Sequence, residues 1–213
     1  MYGGPLLFPQ WGGRGSRYFV IFVDDFSRYT WIYLMKNRSE VLTIYHDFAK
    51  MIQTQYSKAI KVFCSNNARE YRQTDFFFTI LKYYGTIFHT SCAGTSQQNG
   101  RAERKFCHIL DIVRALTNAA STLASFWSEA AFTAVYTINR YPSPVIQNKI
   151  PYEWLFGTAP NYSLLKVFGS VCFVLLQPHE CTKLQPYSQL CCFLGYGLEE
   201  NRYRCYDPVA KRL

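Results

Sequence analysis

The chain has 213 residues, 49% of them hydrophobic and 18% aromatic, and a net charge of +9 at pH 7. This composition excludes a disordered tail and allows a packed domain with a small second one, and the positive charge favours a polyanionic partner, most simply nucleic acid. No apolar run is long enough to span a bilayer and no signal peptide is visible, so we expect an intracellular protein, in the nucleus or the cytoplasm, that does not bind membranes.

The cysteines and histidines do not form a metal-binding pattern. The eight Cys include no C-x-x-C pair, and the four His do not fall at zinc-finger spacing. Scattered thiols in core-like surroundings instead favour a reducing compartment.

The first half of the chain predicts a hairpin followed by alternating helices and strands. Residues 1–16 are rich in Gly and Pro and show no clear periodic element. Two runs of β-branched and aromatic residues flank turn-forming Asp24 and Asp25, and a helix capped by Ser39 follows. Gly85 is the expected C-cap of a second helix. The expected strands cover 17–23, 29–35, 60–64 and 86–90, and the expected helices cover 40–55 and 74–84.

A polar loop containing Gln97, Gln98 and Asn99 leads through Gly100 into a long amphipathic helix. Its apolar face recurs at three- and four-residue steps and comprises Ala102, Phe106, Ile109, Leu110, Val113, Leu116 and Ala120. Its second face carries Arg101, Arg104, Lys105 and His108. Glu103 lies at the border between the two faces. One carboxylate flanked by four potential cations favours a metal- or phosphate-handling site, with a solvated helix as the alternative.

The pattern changes after one further helix, which Ser125 is expected to cap and which runs to about residue 140. Residues 141–165 contain four Pro and predict a connector with one short turn. We therefore expect an α/β domain with a mixed sheet over 1–140, a connector over 141–165 and a small β-domain over 166–213. The strands expected in the last part cover 167–168, 171–176, 190–194 and 202–206.

Several motifs resemble integrases of copia-type long-terminal-repeat retrotransposons. The run from Gln97 to Lys105 is similar to the motif that carries that family's third acidic residue, and residues 22–31 resemble its early hairpin. Further matches, in order along the chain, lie at 126–130, 138–140, 151–153, 156–157, 167–169, 193–196 and 203–208. The resemblance therefore covers nearly all of the sequence.

The resemblance implies a ribonuclease H-like mixed sheet with flanking helices, followed by a small Src-homology-type β-barrel. It implies a core that is truncated at its N-terminus and begins after the family's zinc module, and it leaves open whether the barrel is complete. DNA and further integrase subunits are the implied partners, and no small-molecule substrate is expected.

Integrases of this family use three carboxylates to hold two Mg²⁺ ions, which clamp the attacking and leaving oxygens around a phosphate. Glu103 matches the third carboxylate. Asn66 stands where the second motif has Asp, 37 positions before Glu103, and Met1 stands at the position of the first. Because the amide of Asn66 carries no charge, we expect Mg²⁺ binding to be weak or lost, with Glu103 as the remaining metal ligand.

Three interpretations compete. The first, which we favour, is a degenerate integrase that keeps its fold and DNA affinity but lacks strand transfer. The second is an active metal-dependent polynucleotidyl transferase with substitute carboxylates such as Asp24, Asp25 or Glu70. The third is a non-enzymatic protein-interaction module. Under the first interpretation, the residues expected to bind DNA are Gln97, Gln98, Asn99, Arg101, Arg104 and Lys105.

Overall fold

The computed structural model describes residues 15–66, 75–92, 99–176, 184, 186–197 and 203–213, together with the backbone of residues 2–3 and 5–7. Five helices and two sheets lie within these ranges. The helices are α1 (Val41–Tyr56), α2 (Asp75–Tyr84), α3 (Gly100–Ala119), α4 (Trp127–Ile138) and α5 (Pro151–Phe156).

The larger sheet begins with the predicted hairpin, whose strands are β3 (Tyr18–Val23) and β4 (Thr30–Met35). The two strands pair along their full length. Asp24 makes the turn, because its Oδ2 accepts the Ser27 backbone N–H at 2.8 Å and the Ser27 hydroxyl at 2.7 Å. The hairpin and the turn-forming role of Asp24 are therefore confirmed.

Two short segments that the sequence pattern missed complete the sheet. β1 (Tyr2–Gly3) and β2 (Pro5–Leu7) pair antiparallel with β3, whose other pairing is with β4. β5 (Val62–Ser65) lies parallel to β1, and β6 (Ile87–Thr90) lies parallel to β5. The spatial order is thus β4, β3, β1 with β2, β5 and β6, a mixed sheet as expected.

Both faces of this sheet are buried, because β3 sends alternate side chains to opposite sides. On one side, Phe22 stacks on Phe48 of α1 with ring centroids 4.4 Å apart. On the other side, Phe19 stacks on Phe106 of α3 at 4.8 Å. The α3 stripe predicted from the sequence faces this second core, with its buried members at Ala102, Phe106, Ile109 and Val113.

Of the three predicted helix caps, one is confirmed and two are wrong. Gly85 ends α2 as expected, with φ +64° and its N–H bonded to the Lys82 carbonyl. The expectation that Ser39 caps α1 is wrong, since residues Arg38–Glu40 form a 3₁₀ turn and Glu40 is the N-cap. Ser125 likewise lies inside a 3₁₀ turn, Ala124–Phe126, and Phe126 is the N-cap of α4. Short 3₁₀ turns commonly precede α-helices and shift the cap by a residue or two.

The smaller sheet is antiparallel and has the order β7 (Val171–Leu175), β8 (Ser188–Tyr196) and β9 (Tyr203–Tyr206). The strand expected at 167–168 is wrong. Phe168 lies in a turn where Gly169 takes φ +80° and the Ser170 N–H bonds the Val167 carbonyl at 3.1 Å. The side chain of Phe168 is buried, and this explains why an apolar pair there resembled a strand.

Helix α4 lies between the two sheets, and ten of its twelve residues are buried. It contacts α3, β4 and β8. Leu194 of β8 belongs to the same apolar cluster as Phe19 and Phe106 of the larger unit. Gly195, at φ +120°, lies so close to α4 that an added Cβ would overlap Thr133 Oγ1. The domain limits at 140 and 166 stay a prediction, and the two stretches share one apolar core.

The end of α4 is tied to the hairpin by one amide side chain. Asn139 Oδ1 accepts the Thr30 backbone N–H at 2.9 Å, and Asn139 Nδ2 donates to the Thr30 carbonyl at 2.8 Å. Within the described ranges, none of the helices combines the length and hydropathy that crossing a bilayer needs.

Candidate nucleic-acid interface

The start of α3 follows the polar loop that the sequence singled out. Asn99 precedes the helix, is only 4% exposed, and its Oδ1 accepts no hydrogen bond from the residues that the structure describes. Gly100 is the first helical residue and is buried. Gln97 and Gln98 lie outside the described residues. The structure therefore places one of the three predicted loop residues, at the helix N-terminus.

Three of the four predicted cations are exposed on this helix, and the fourth, Lys105, is half-buried. Arg101 forms an ion pair with Asp25 in the turn of the β3–β4 hairpin. Asp25 also accepts from Arg28, with Oδ1 2.9 Å from Arg28 Nη1. Two arginines thus share one carboxylate, and the hairpin turn is tied to the start of α3.

Lys105 lies in a less polar setting than its neighbours on the helix. Burial, with a smaller contribution from the nearby Arg28 charge, lowers the pKa of Lys105 to about 8. The side chain is therefore still mainly protonated at pH 7, and a moderate rise in pH removes its charge.

Glu103 lies in the first turn of α3 and is exposed. A carboxylate in a first helical turn interacts favourably with the helix dipole. Asn66 follows β5, and its Oδ1 is buried with no hydrogen-bond partner among the described residues. Helix α3 contacts β1, and β1 pairs with β5, the strand that Asn66 follows.

The described residues do not fit a two-metal site. They contain no group of three or more His, Cys, Asp and Glu that could hold a metal ion. Asn66 offers a neutral oxygen, and Asp24 and Asp25 are engaged with Ser27 and with arginines. Met1 and Glu70, the other positions that the sequence raised, lie outside the described residues.

Sequence reasoning did not find the pairing of Asp25 with Arg101. The two residues lie 76 positions apart, and no local pattern links a hairpin turn to a helix start. The sequence favours Asp25 as a turn former, with a substitute metal ligand as the alternative. The structure gives it a further role, as the counter-ion of two arginines.

A mixed six-stranded sheet covered by helices, followed by a small antiparallel sheet, defines an integrase-like fold. The chain is similar to one in the structure of a simian T-cell lymphotropic virus intasome solved with the PP2A regulatory subunit B56 gamma. The TM-score is 0.57, and the match has 11% sequence identity and covers 96% of this chain and 74% of that one. The HTLV-2 integrase catalytic core solved with magnesium in a trimeric form gives 0.53, with 16% identity over 72% of this chain and 93% of that one.

The sequence relatives agree with the fold. The family model of the retroviral polymerase SH3-like domain matches residues 170–213. The retrovirus-related Pol polyprotein from transposon RE1 of Arabidopsis thaliana is 39% identical over 92% of this chain. The polyprotein from transposon TNT 1-94 of Nicotiana tabacum is 36% identical over 99%. The chain spans only 13% and 16% of the length of these two relatives. Its homologues are thus retrovirus-related Pol polyproteins of copia-type transposons, and its fold is integrase-like.

Proposed function

We propose that this integrase-like chain binds DNA through the start of α3 and does not carry out strand transfer. The observation that carries the proposal is the set of cations at that helix terminus. Arg101, Arg104 and Lys105 fall within five residues, and the net charge of the chain is +9. Helix N-termini and basic side chains are the groups that hold phosphates.

The binding step needs only groups of this chain. A phosphate that approaches α3 meets Arg104 and the protonated form of Lys105, and it competes with Asp25 for Arg101. By expectation Gln97 and Gln98 supply amide groups for phosphate or base edges, whereas the amide of Asn99 is buried in this structure. Because these contacts are mainly electrostatic, the affinity should be modest, with little sequence preference.

The lack of strand transfer follows from charge. Two divalent cations close together need several anionic oxygens to offset their mutual repulsion. Of the three positions where the family motifs carry a metal-binding acid, this chain keeps a carboxylate only at Glu103. The HTLV-2 integrase catalytic core, which has a similar fold, was solved in complex with magnesium. In this chain Glu103 is the residue that would contribute to a magnesium site, and Asn66 would contribute at most a neutral oxygen.

The binding proposal is tested by titrating a labelled duplex at several salt concentrations. The variant Arg101→Ala/Arg104→Ala/Lys105→Ala is compared with Lys36→Ala/Lys50→Ala/Lys58→Ala, which removes the same charge from other exposed lysines. We expect only the first variant to lower affinity and to flatten the salt dependence, by about 0.9 per lost contact on a log–log plot. Equal losses in both variants would mean that only the overall charge matters.

The catalytic proposal is tested with long-terminal-repeat end oligonucleotides in Mg²⁺ or Mn²⁺. We expect neither 3′-end processing nor joining from the wild-type chain, and no rescue by Asn66→Asp alone. Joining that disappears in Glu103→Gln would contradict the proposal and support an enzyme with substitute carboxylates.

Self-association through the small sheet is a second candidate, favoured by one observation. Alternate side chains of β7, namely those of Val171, Phe173 and Leu175, are exposed on a strand whose only described pairing is with β8. Such a strand can pair with a second copy of the chain. Sedimentation velocity of the wild type and Phe173→Glu tests this, since only the wild type should form dimers.

A further inference from the structure

An exposed pair of stacked rings lies beside the hairpin turn. Phe26 stacks on Trp154 with ring centroids 4.6 Å apart and planes inclined by 25°. Trp154 is half-buried, whereas Phe26 is 71% exposed. Trp154 covers one face of the Phe26 ring, and the exposure of Phe26 leaves its opposite face open to solvent.

Both rings are held by rigid surroundings. Phe26 belongs to the turn that Asp24 closes through Ser27, and its neighbour Asp25 is anchored to Arg101. Trp154 belongs to α5, which begins with Pro151. These anchors fix the orientation of the pair before any ligand binds, so a partner does not have to order it.

Helix α5 is in turn attached to the residues around it by a backbone hydrogen bond and by ring packing. The Tyr152 N–H donates to the Asn139 carbonyl at 2.8 Å. Phe156 packs against Tyr29 and Tyr56 with ring centroids 5.6 and 6.0 Å apart, and within α5 it packs against Tyr152. Helix α5, which carries Trp154, is therefore anchored to the folded core and is not a loose connector.

Three cations lie close to this shelf, together with three carboxylates. Lys149 places its Nζ 4.7 Å from the centre of the Trp154 ring. Arg28 and Arg101 meet at Asp25, the residue next to Phe26. The acidic groups at the shelf are Asp24, which accepts from Ser27, Asp25, which is shared between the two arginines, and Glu153, which is exposed.

We propose that the shelf of Phe26 and Trp154 is a binding site for unpaired bases of single-stranded DNA. An open aromatic face accepts a base by stacking, whatever its identity, and nearby cations hold the phosphates on either side. Duplex DNA keeps its base faces covered, so the shelf selects single strands. A ring that stays mostly in solvent adds little to the core, and packing alone does not explain its fixed position.

This site shares Arg101 with the cations at the start of α3. Its test removes only the ring of Phe26 and keeps every cation, so the failure of either proposal can be recognised separately. The test uses fluorescence anisotropy with three labelled probes of equal length, namely oligo(dT), an abasic sugar–phosphate strand and a duplex. The variants are Phe26→Ala, Phe26→Tyr, which keeps a ring, and Tyr141→Ala. Tyr141 is also 71% exposed and lies outside the stacked pair, so its removal is a matched control.

We expect Phe26→Ala to weaken oligo(dT) binding about tenfold while the abasic and duplex affinities stay within twofold of the wild type. Phe26→Tyr and Tyr141→Ala should bind oligo(dT) as the wild type does. The selective loss would support the stacking of bases on Phe26.

Three outcomes would overturn the site. Unchanged oligo(dT) binding by Phe26→Ala would exclude stacking there. An equal loss for the abasic strand would show that the substitution acts through the charges around Asp25. A change in sedimentation of Phe26→Ala, with DNA binding intact, would assign the shelf to contacts between copies of the chain.

Discussion

Arg204 of β9 lies 3.3 Å from Glu129 of α4, measured from Nη2 to Oε1, although 75 residues separate them. The Glu129 side chain is 0% exposed and that of Arg204 is 15% exposed. The other carboxylate oxygen of Glu129 accepts the Ser128 hydroxyl at 2.6 Å. A buried ion pair therefore joins the small sheet to the helix at the centre of the molecule.

Breaking this pair should lower stability strongly. Glu129→Leu leaves the Arg204 charge buried without its carboxylate, and we expect a loss of about 3–5 kcal/mol in the free energy of unfolding. The double variant Glu129→Leu/Arg204→Leu should recover part of the loss, because no unpaired charge remains. Urea unfolding of the two variants, with exposed Glu153→Gln as the control, measures this. A single-variant loss below about 1 kcal/mol would contradict it.

The close approach of β8 to α4 gives a second prediction. Gly195→Ala combines an unfavourable φ of +120° with overlap against Thr133. Gly157→Ala is a matched control, since Gly157 also has a positive φ, of +71°, and has no atom within 4 Å of an added Cβ. We expect Gly195→Ala to cost about 2–4 kcal/mol and Gly157→Ala about 1 kcal/mol, measured by urea unfolding. Equal costs would mean that α4 and β8 separate easily.

The pKa of Lys105 gives a prediction about pH. A lysine whose folded pKa is lowered to about 8 opposes folding fully below pH 8, and the penalty is relieved as pH rises towards 10.5, the ordinary pKa of a lysine side chain. Lys105→Met should therefore raise the free energy of unfolding by about 1–2 kcal/mol at pH 7, less than the full shift implies because solvent screens the charge.

The gain from Lys105→Met should shrink at pH 10, where the wild-type lysine is already neutral in the folded state. Exposed Lys50→Met should leave stability unchanged at both pH values. Urea unfolding at pH 7 and pH 10 compares the three chains. A gain of the same size at both pH values would show that Lys105 acts through packing and not through charge.

The thiols should differ in reactivity. Burial, with the thiol of Cys172 at 3.5 Å as the next cause, raises the pKa of Cys205 to about 12, whereas Cys92 and Cys107 are exposed. Since the thiolate is the reactive form, iodoacetamide at pH 8 should modify Cys107 at least about tenfold faster than Cys205. Mass spectrometry of the peptides over time measures the rates. The difference should vanish in urea, and similar rates in the folded chain would contradict the prediction.

Limited proteolysis tests how the two predicted domains are connected. We expect the first cuts in the exposed parts of 141–165 on either side of α5, which is itself anchored. We expect the 166–213 fragment to stay bound to α4 afterwards, because Phe168 and Leu194 belong to the same apolar cluster as Phe19 and Phe106. Gel filtration after cleavage checks whether the fragments elute together. Separate elution would favour an independent β-domain, and early cuts inside the larger sheet would refute the boundary.

The helices and the hairpin could be predicted because their patterns are local. The three- and four-residue spacing of α3 and the alternation in β3 identify buried faces without knowledge of their partners. Strands β1 and β2 could not be found this way. They lie in a Gly- and Pro-rich stretch, and their place in the sheet depends on backbone pairing with β3 and β5.

For the candidate site, the sequence could predict only the cations at the start of α3 and the replacement of the family's second acidic residue by Asn66. The charge balance around Arg101 depends on Asp25, and the Phe26–Trp154 stack brings together a turn and a short helix distant in sequence. Such contacts are fixed by tertiary packing, so no spacing rule in a single sequence reveals them. The assignments of Glu103, Asn66 and the loop residues to a site stay predictions.

The two hydrogen bonds of Asn139 also affect how the chain behaves in crowded solutions. Among the described strands β4 pairs only with β3, so its other edge is a place where a foreign strand could add and start an aggregate. At Thr30 the carboxamide of Asn139 already holds both the N–H and the carbonyl that such a strand would use. The side chain that fixes α4 to the hairpin should therefore also hinder strand addition at this end of β4.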